Sequence, residues 1–408
     1  MTNGTSVVTA EIAHPCSVMV VLGTRPEAVK LAPIILGLRD SSLFEPCVVV
    51  TGQHREMLDQ VLEVFDIRSD VDLDLIQPGQ TLTDVTVRAL SRLSPVIAER
   101  HPEAVVVQGD TTTTFAGALA AFYHQVPVAH VEAGLRTDNP YSPYPEEINR
   151  RLTTQLATLH LAPTPTARGN LLRDGVDAQR VIVTGNSVID ALRWAVDAGL
   201  PYGDPALDGL DDDPRRVLLV TAHRRESWGR PMQEVGRALA DLAASEPDLL
   251  VVFPIHRNPV VREAVMPHLA GHANVVVTEP LPYGGFARLI ARSHLILTDS
   301  GGIQEEGPSL GKPVLVMRDT TERPEAVEAG TAALVGIDRA AIRGAVRRLL
   351  HDRGAYEAMA NAVNPYGDGR AAERTVAALA HLLAGAERPE EFKPEPSGVT
   401  PLPAANGG

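Results

Sequence analysis

The chain has 408 residues, 44% of them apolar and 22% charged. Those proportions belong to a soluble globular protein of two or three domains and exclude a disordered, collagen-like or fibrous chain. Lys and Arg total 37 against 51 for Asp and Glu, a formal net charge of -14, so no overall field draws the protein to nucleic acid or to an anionic bilayer. A few converging basic groups can still bind a small anion. Two cysteines, Cys16 and Cys47, are too few for a disulfide scaffold or a Cys-rich zinc site, and both read as small buried hydrophobes.

The N-terminal MTNGTSVVTAEIAHP has no basic n-region followed by an apolar h-region. The least charged long stretch, Thr111 to Val131, carries four threonines, His124, Gln125, Pro127 and His130, which is too polar to span a bilayer. A cytoplasmic location and no membrane partner are the expectations.

Short β-rich runs alternate with longer amphipathic segments. In chain order the predicted strands are Val18–Leu22, Cys47–Thr51, Ala104–Val107, Val128–Val131, His160–Ala162 and Val181–Thr184. After a break come Val217–Thr221, Leu249–Phe253, Val275–Val277, Leu295–Leu297 and Val314–Met317. These runs are nearly continuous in Val, Ile and Leu, as strands covered on both faces are. Segments such as Arg25–Arg39 and Arg230–Ala244 supply the helical crossovers. A βαβα rhythm stated twice predicts an α/β protein with two Rossmann-like, doubly wound parallel sheets.

The best boundary follows Gly185-Asn186, which places a first domain at 15–186 and a second at 187–369. Leu200–Arg215, rich in Pro, Gly and Asp, reads as a connection. A final helix over 370–386 precedes a Pro-, Glu- and Gly-rich tail, 387–408, expected to be disordered.

Ligands of such sheets sit beyond the carboxyl ends of the strands, and the polar motifs fall there. Gly23 permits a tight turn after the first strand. Arg25 and Lys30 then flank a helix start that already favours an anion. Asp110 follows the third strand, where it can serve either as a helix cap or as an acid. Glu132 follows the next strand. Glu146 and Arg150 have the spacing of an ordinary helical ion pair, yet Asp110, Glu132 and Glu146 together resemble an acid/base set. In the second half, His223-Arg224-Arg225-Glu226 directly follows a buried strand and is hard to explain as packing. His256-Arg257 repeats the theme. No partner His or Cys lies at ligand spacing around either histidine, and the neighbouring arginines repel a cation, so no metal is expected. Asp299-Ser300-Gly301-Gly302-Ile303-Gln304-Glu305-Glu306 combines a candidate cap at Ser300 with two glycines that let a phosphate approach backbone amides. Glu305 and Glu306 can complement the helix dipole or accept from ribose hydroxyls. Arg318 to Glu325 brings further cations, Arg323 among them. No Gly-x-Gly-x-x-Gly and no Walker loop occurs, so neither a nicotinamide cofactor nor a P-loop nucleotide is expected.

The runs GTRPEA, GDTTTT, VEAGLRT, YPEEINR, GNSVIDAL, HRRE, DSGGIQEE and GKPVLVMRDTTERPEA resemble the non-hydrolysing UDP-N-acetylglucosamine 2-epimerases. The resemblance covers roughly Val18 to Gly336. It implies a GT-B architecture, two Rossmann-like domains facing across a deep cleft with the C-terminal helix packed back on the first. It also implies a homodimer that interconverts UDP-GlcNAc and UDP-ManNAc without added cofactor. By the same resemblance Asp110, Glu132, Glu146, His223 and Lys30 are catalytic. Arg25, Arg150, His256, Phe286, Ser300, Gly301, Gly302, Glu306 and Arg323 bind the nucleotide sugar, although Gly284-Gly285 before Phe286 is looser than the family's apolar pair. Bacterial members also bind UDP-GlcNAc as an activator. This chain keeps Gln53 of that site but has Glu56 for a glutamine and Gly79 for an arginine, which predicts weak or absent activation.

By the same resemblance, epimerisation at C2 is expected to proceed by loss of UDP from C1 and re-addition through 2-acetamidoglucal, with cations easing departure and carboxylates moving the C2 proton. The competing readings are a hydrolysing 2-epimerase, a GT-B glycosyltransferase and a non-catalytic nucleotide-sugar sensor.

Overall fold

The computed structural model describes residues 14–394, apart from 53–54, 76, 78 and 225–227. It divides into two compact units, one running to Ala191 and resuming at Gly369–Lys393, the other spanning Leu192–Asp368. In the first unit the strands are β1 (Cys16–Leu22), β2 (Phe44–Val50), β3 (Val71–Asp72), β4 (Ala104–Gln108), β5 (Val128–Val131), β6 (Leu159–Ala162) and β7 (Val181–Val183). They form one parallel sheet in the order β3-β2-β1-β4-β5-β6-β7. The second unit contains β8 (Arg216–Thr221), β9 (Leu249–Pro254), β10 (Val275–Thr278), β11 (Leu295–Thr298), β12 (Val314–Val316) and β13 (Ala332–Leu334), ordered β10-β9-β8-β11-β12-β13 and again parallel. Both orders reverse direction beside their first strand, so each sheet has a switch point, between β1 and β4 and between β8 and β11.

The expected doubly wound α/β class is therefore present twice. Helices cover the strands, and the apolar runs are buried accordingly. Met19, Val21, Val105 and Val107 meet Leu93 and Ile97 in the first unit, while Leu218, Val220, Val251, Phe253 and Leu297 meet Leu239 and Val346 in the second. The short strands β3 and β13 went unread because Val-Asp and Ala-Ala-Leu offer no run of β-branched residues, and each pairs with a single neighbour.

Helix starts are set by local chemistry. Thr24 caps helix Arg25–Asp40 and Thr81 caps helix Leu82–Arg100, each in a reciprocal box with the acid three residues on, Glu27 and Asp84. The passage between units occurs inside helix Ser187–Asp197 and not at 186/187. The reason is local: Ser187 Oγ donates to the Lys30 carbonyl at 2.6 Å. The Asp190 carboxylate meanwhile accepts from the first amides of helix Ala371–Ala384, Ala371 N at 3.2 Å and Ala372 N at 2.8 Å. That last helix packs on helix Arg25–Asp40 of the same unit.

The tail is also corrected. Arg388 donates to the carbonyls of Gln179 and Val181, Phe392 N donates to the Val183 carbonyl at 2.7 Å, and the Phe392 side chain is buried beneath Arg374. Residues 387–393 thus extend the edge at β7, and 395–408 lie outside the described residues.

His130 on β5 and His160 on β6 stand in register and are fully buried. Burial pushes His130 down to about 4 and His160 down to about 3, with the mutual repulsion of the pair contributing to the latter. Both are neutral in the folded protein, whereas the unfolded chain takes up their protons near pH 6.5. The unfolded state therefore binds more protons below that pH, and stability falls from about pH 6.5 toward pH 4. Denaturation midpoints measured from pH 7.5 to 5 should fall more steeply in the unaltered chain than in H160L. Equal pH slopes would show that His160 is already charged in the fold.

Candidate functional site

In the first unit the site begins with a turn that tolerates only glycine. A Cβ at Gly23 would stand 2.2 Å from Thr51 Oγ1 and 2.8 Å from Thr113 Oγ1. Glu27, 2% exposed, reaches back beneath this turn. Its Oε2 accepts from the amides of Gly23 and Thr24, both at 2.7 Å, and its Oε1 from Thr111 Oγ1 at 2.5 Å and Thr114 Oγ1 at 3.1 Å. Burial raises its pKa, and the Thr111 hydroxyl with the Gly23 and Thr24 amides opposes that rise. One carboxylate thereby ties the β1 turn, which carries Arg25 and Lys30, to the β4 turn, which carries Asp110.

One turn along the helix, Lys30 Nζ forks onto both oxygens of Glu132 at 2.6 Å. Glu132 is 8% exposed and adopts φ +62°, a left-handed conformation that non-glycine residues seldom take and that recurs at functional sites. Gln108 Nε2 also donates to it, as does Asn186 Nδ2 at 3.1 Å. Asp110 is held differently. Arg150 Nη2 contacts its Oδ2 at 2.5 Å, Asn149 Nδ2 donates to its carbonyl at 3.0 Å, and the His130 ring nitrogen Nε2 holds the preceding Gly109 carbonyl at 2.7 Å. Burial raises the Asp110 pKa and the Glu132 charge pushes the same way, while Arg150 pulls it down.

The helical pair expected between Glu146 and Arg150 does not form. Arg150 turns instead to Asp110 and to Glu147 Oε2 at 3.3 Å. Glu146 occupies the first position of helix Glu146–Leu156, and its Oε2 is enclosed without a hydrogen-bond partner among the described residues. Arg25, half-buried at the first position of its own helix, pairs with no described carboxylate. The first unit therefore gathers Lys30, Glu132, Asp110 and Arg150 at one sheet edge, with Arg25 on the connected turn.

In the second unit Asp299, 1% exposed, closes the β8–β11 switch point. Its Oδ2 accepts from His223 N at 2.7 Å and Arg224 N at 2.8 Å, and His223 Nδ1 lies 2.9 Å from its Oδ1. Burial alone would raise its pKa, but His223 and these amides carry it below the usual carboxylate range. The His256 ring stacks near that of His223, with centroids 6.1 Å apart, so the two histidine motifs converge.

The glycine loop departs from expectation in one respect. Ser300 caps no helix: its amide donates to Thr298 Oγ1 at 2.9 Å, and helix Ile303–Ser309 is capped by Gly302 without a side-chain bond. Gln304 instead holds the loop. Its Nε2 donates to the Ser300 carbonyl at 3.0 Å and its Oε1 accepts from Thr321 Oγ1 at 2.6 Å, joining the loops after β11 and β12. The amides of Gly301, Gly302 and Ile303 meet no acceptor among the described residues. Arg224 Nη2 lies 3.7 Å from where a Gly301 Cβ would be, and Glu306 Oε2 the same distance from that position at Gly302. Arg323 donates through Nε to Glu305, so this cation is held by a buried acid behind the loop.

Phe286 is half-buried on helix Tyr283–Arg292. The glycines before it are not loose. A Cβ at Gly284 would strike Leu200 Cδ1 at 2.3 Å, and one at Gly285 the Tyr202 carbonyl at 2.1 Å. The segment that reads as a bare connection fills the space an apolar pair would take, held by Arg288 stacked 4.6 Å over the Tyr202 ring. Of the activator positions, Gln53 and the side chain of Glu56 lie outside the described residues. Gly79 is exposed at φ +74°, with open space where a Cβ would project.

Reading the residues gave no individual role to Glu27, Gln108, Asn186, Asp299 or Gln304, and took Arg224 only as part of the run that begins at His223. Thr24-x-x-Glu27 is a readable capping box. The others became visible only when strand order set them beside their partners. Among the described residues no three His, Cys, Asp or Glu gather as a metal cluster, and no helix is long and apolar enough to cross a membrane.

Residues 37–380 match the family model described as UDP-N-acetylglucosamine 2-epimerase. The chain is 53% identical over 375 residues to UDP-N-acetylglucosamine 2-epimerase of Escherichia coli K12, covering 89% of this chain and 98% of the relative. It is 51% identical over 376 residues to the Bacillus subtilis enzyme of that name, covering 92% and 98%. Among solved structures, UDP-GlcNAc 2-epimerase from Neisseria meningitidis bound to UDP-GlcNAc superposes with a TM-score of 0.79 at 47% identity, over 89% of this chain and 99% of that one. With both sheets matched nearly end to end by such relatives, the chain belongs to the UDP-N-acetylglucosamine 2-epimerase family.

Proposed function

We propose that the protein interconverts UDP-GlcNAc and UDP-ManNAc by the non-hydrolysing route. UDP departs from C1 with the electron pair of the C1–O bond, a carboxylate takes the C2 proton, and a C1=C2 double bond forms. Return of a proton to the opposite face of C2 and re-addition of the UDP oxygen at C1 complete the inversion. Departure needs positive charge and donors at the diphosphate, which Arg25, His223, Arg224 and the Gly301–Ile303 amides supply. His256, Phe286 and Glu306 complete the nucleotide side, and the chain's own residues suffice without an added cofactor.

The observation that carries this reading is the array Lys30–Glu132 and Arg150–Asp110 at one sheet edge, two carboxylates each paired to its own cation. The three acids differ in what they have free. Glu132, with donors on both oxygens, is the poorest proton acceptor and holds Lys30 in place. Asp110, its pKa raised by burial, and Glu146, with an oxygen unbonded among the described residues, are suited to the proton transfers. A glycosyltransferase has no need of three acids there, and a sensor has no need of the set.

A homodimer is part of the proposal. Ile148 and Leu152 are exposed one turn apart on helix Glu146–Leu156, and Tyr141, Tyr144, Phe122 and Tyr123 are exposed in the same unit. A second copy covers such apolar surface.

Proton NMR of the protein with UDP-GlcNAc in heavy water should show UDP-ManNAc carrying deuterium at C2. Free ManNAc with UDP would establish hydrolysis instead, and retention of the original proton would rule elimination out. Initial rates should rise hyperbolically with UDP-GlcNAc, and UDP-ManNAc should be converted without any UDP-GlcNAc added; a sigmoidal curve with inert UDP-ManNAc would restore the activator site. Sedimentation should give twice the 43.6 kDa chain mass, falling to the monomer in I148K/L152K. A dimer that survives both lysines would place the interface elsewhere.

A further inference from the structure

Asp299 does more than close a turn. It is almost wholly buried, and its two oxygens have separate duties. Oδ2 accepts two successive backbone amides, His223 N and Arg224 N, while Oδ1 faces the His223 ring nitrogen Nδ1 at 2.9 Å. That ring contact is close in distance, but the buried Oδ1 has no aligned hydrogen-bond donor among the described residues. The His223 side chain is 43% exposed, and a small rotation of its ring would straighten the contact. A carboxylate has no proton to give, so the atom facing Oδ1 must be the donor, and neutral His223 carries its hydrogen on Nδ1. Nε2 is then a bare acceptor on the side of the ring away from Asp299.

We propose that Asp299 is a positioning residue that fixes the tautomer of His223 and holds its ring, so that Nε2 takes up a proton and the resulting imidazolium, neutralised by Asp299, faces the diphosphate. The inference rests on the reading of His223 given above. It adds an acid that acts through that histidine without touching substrate.

The arrangement makes D299N unusually informative. Two backbone N–H groups must still be accepted, so the amide oxygen takes the place of Oδ2 and the amide NH2 is turned toward the ring. An NH2 facing Nδ1 requires Nδ1 to accept, which moves the hydrogen to Nε2. The backbone bonds survive while the tautomer inverts.

Imidazole nitrogen–proton correlation spectra of the ¹⁵N-labelled full-length protein, with His223 assigned by comparison with H223N, should show hydrogen on Nδ1 in the unaltered chain and on Nε2 in D299N. D299N should lose about 100-fold or more in kcat, in the range of a general acid–base contribution, while its affinity for UDP by calorimetry changes less than about threefold. The double variant D299N/H223N should be no slower than H223N alone, because residues acting as one unit do not add. Hydrogen on Nε2 in the unaltered protein would overturn the proposal without a variant. So would an unchanged tautomer in D299N, or losses that multiply in the double variant. The spectra need no substrate. If H223N turns over at the unaltered rate, the role of His223 and this dependence on it both fail; an inert H223N with the wrong tautomer removes Asp299 alone.

Discussion

A carboxylate oxygen that accepts two successive backbone amides underlies the site in each unit. Where a parallel strand ends beside a switch point, the chain must turn, and the amides of that turn lose their sheet partners. After β1 the amides of Gly23 and Thr24 converge on Glu27 Oε2. After β8 those of His223 and Arg224 converge on Asp299 Oδ2. A buried acid so satisfied is rigid, since losing it would strand two donors and leave the turn without support. Everything else at these edges is built outward from that fixed point.

The source of the acid differs between the units, and the difference has consequences. Glu27 comes from the helix that the turn itself begins, and its second oxygen crosses the switch point to Thr111 and Thr114. It welds the segment bearing Arg25 and Lys30 to the one bearing Asp110. Asp299 comes from across the switch point, at the end of β11, and its second oxygen faces a side chain. The first carboxylate is spent wholly on architecture, whereas the second has one oxygen left for chemistry. The glycine loop begins one residue after Asp299, so the residue that holds the His223 and Arg224 amides also starts the segment carrying Gly301 and Gly302.

Charge is divided by the same logic. Lys30 is bound by Glu132 and Arg150 by Asp110, while Arg323 is bound by Glu305 behind the loop. These cations set the strength and position of acids. In the first unit Arg25 pairs with no described carboxylate, and in the second the Gly301, Gly302 and Ile303 amides meet no acceptor among the described residues. Residues grouped together by resemblance therefore differ in their surroundings: Lys30, Arg150 and Arg323 are each paired with an acid, whereas Arg25 pairs with no described carboxylate.

Much of this was legible in the residues themselves. Short, Val- and Ile-rich runs bounded by turn residues read as strands covered on both faces, so the two parallel sheets followed from composition and rhythm, as did the placing of Gly23, Asp110, Glu132, His223 and Ser300 just beyond strand ends. These features are recorded in residue type and local rhythm, which can be read without knowing which strand pairs with which. Tertiary structure decided the rest. Arg150 faces Asp110 forty positions away and not its helical neighbour Glu146; Asn186, which looked like a boundary, reaches Glu132; Gly284 and Gly285 exist to admit Leu200 and Tyr202; and the tail through Phe392 adds to the edge at β7. Each of these is a pairing between segments distant in sequence. No local spacing records such a partner, since only the order in which strands assemble brings the two groups within the 3 Å over which a hydrogen bond acts.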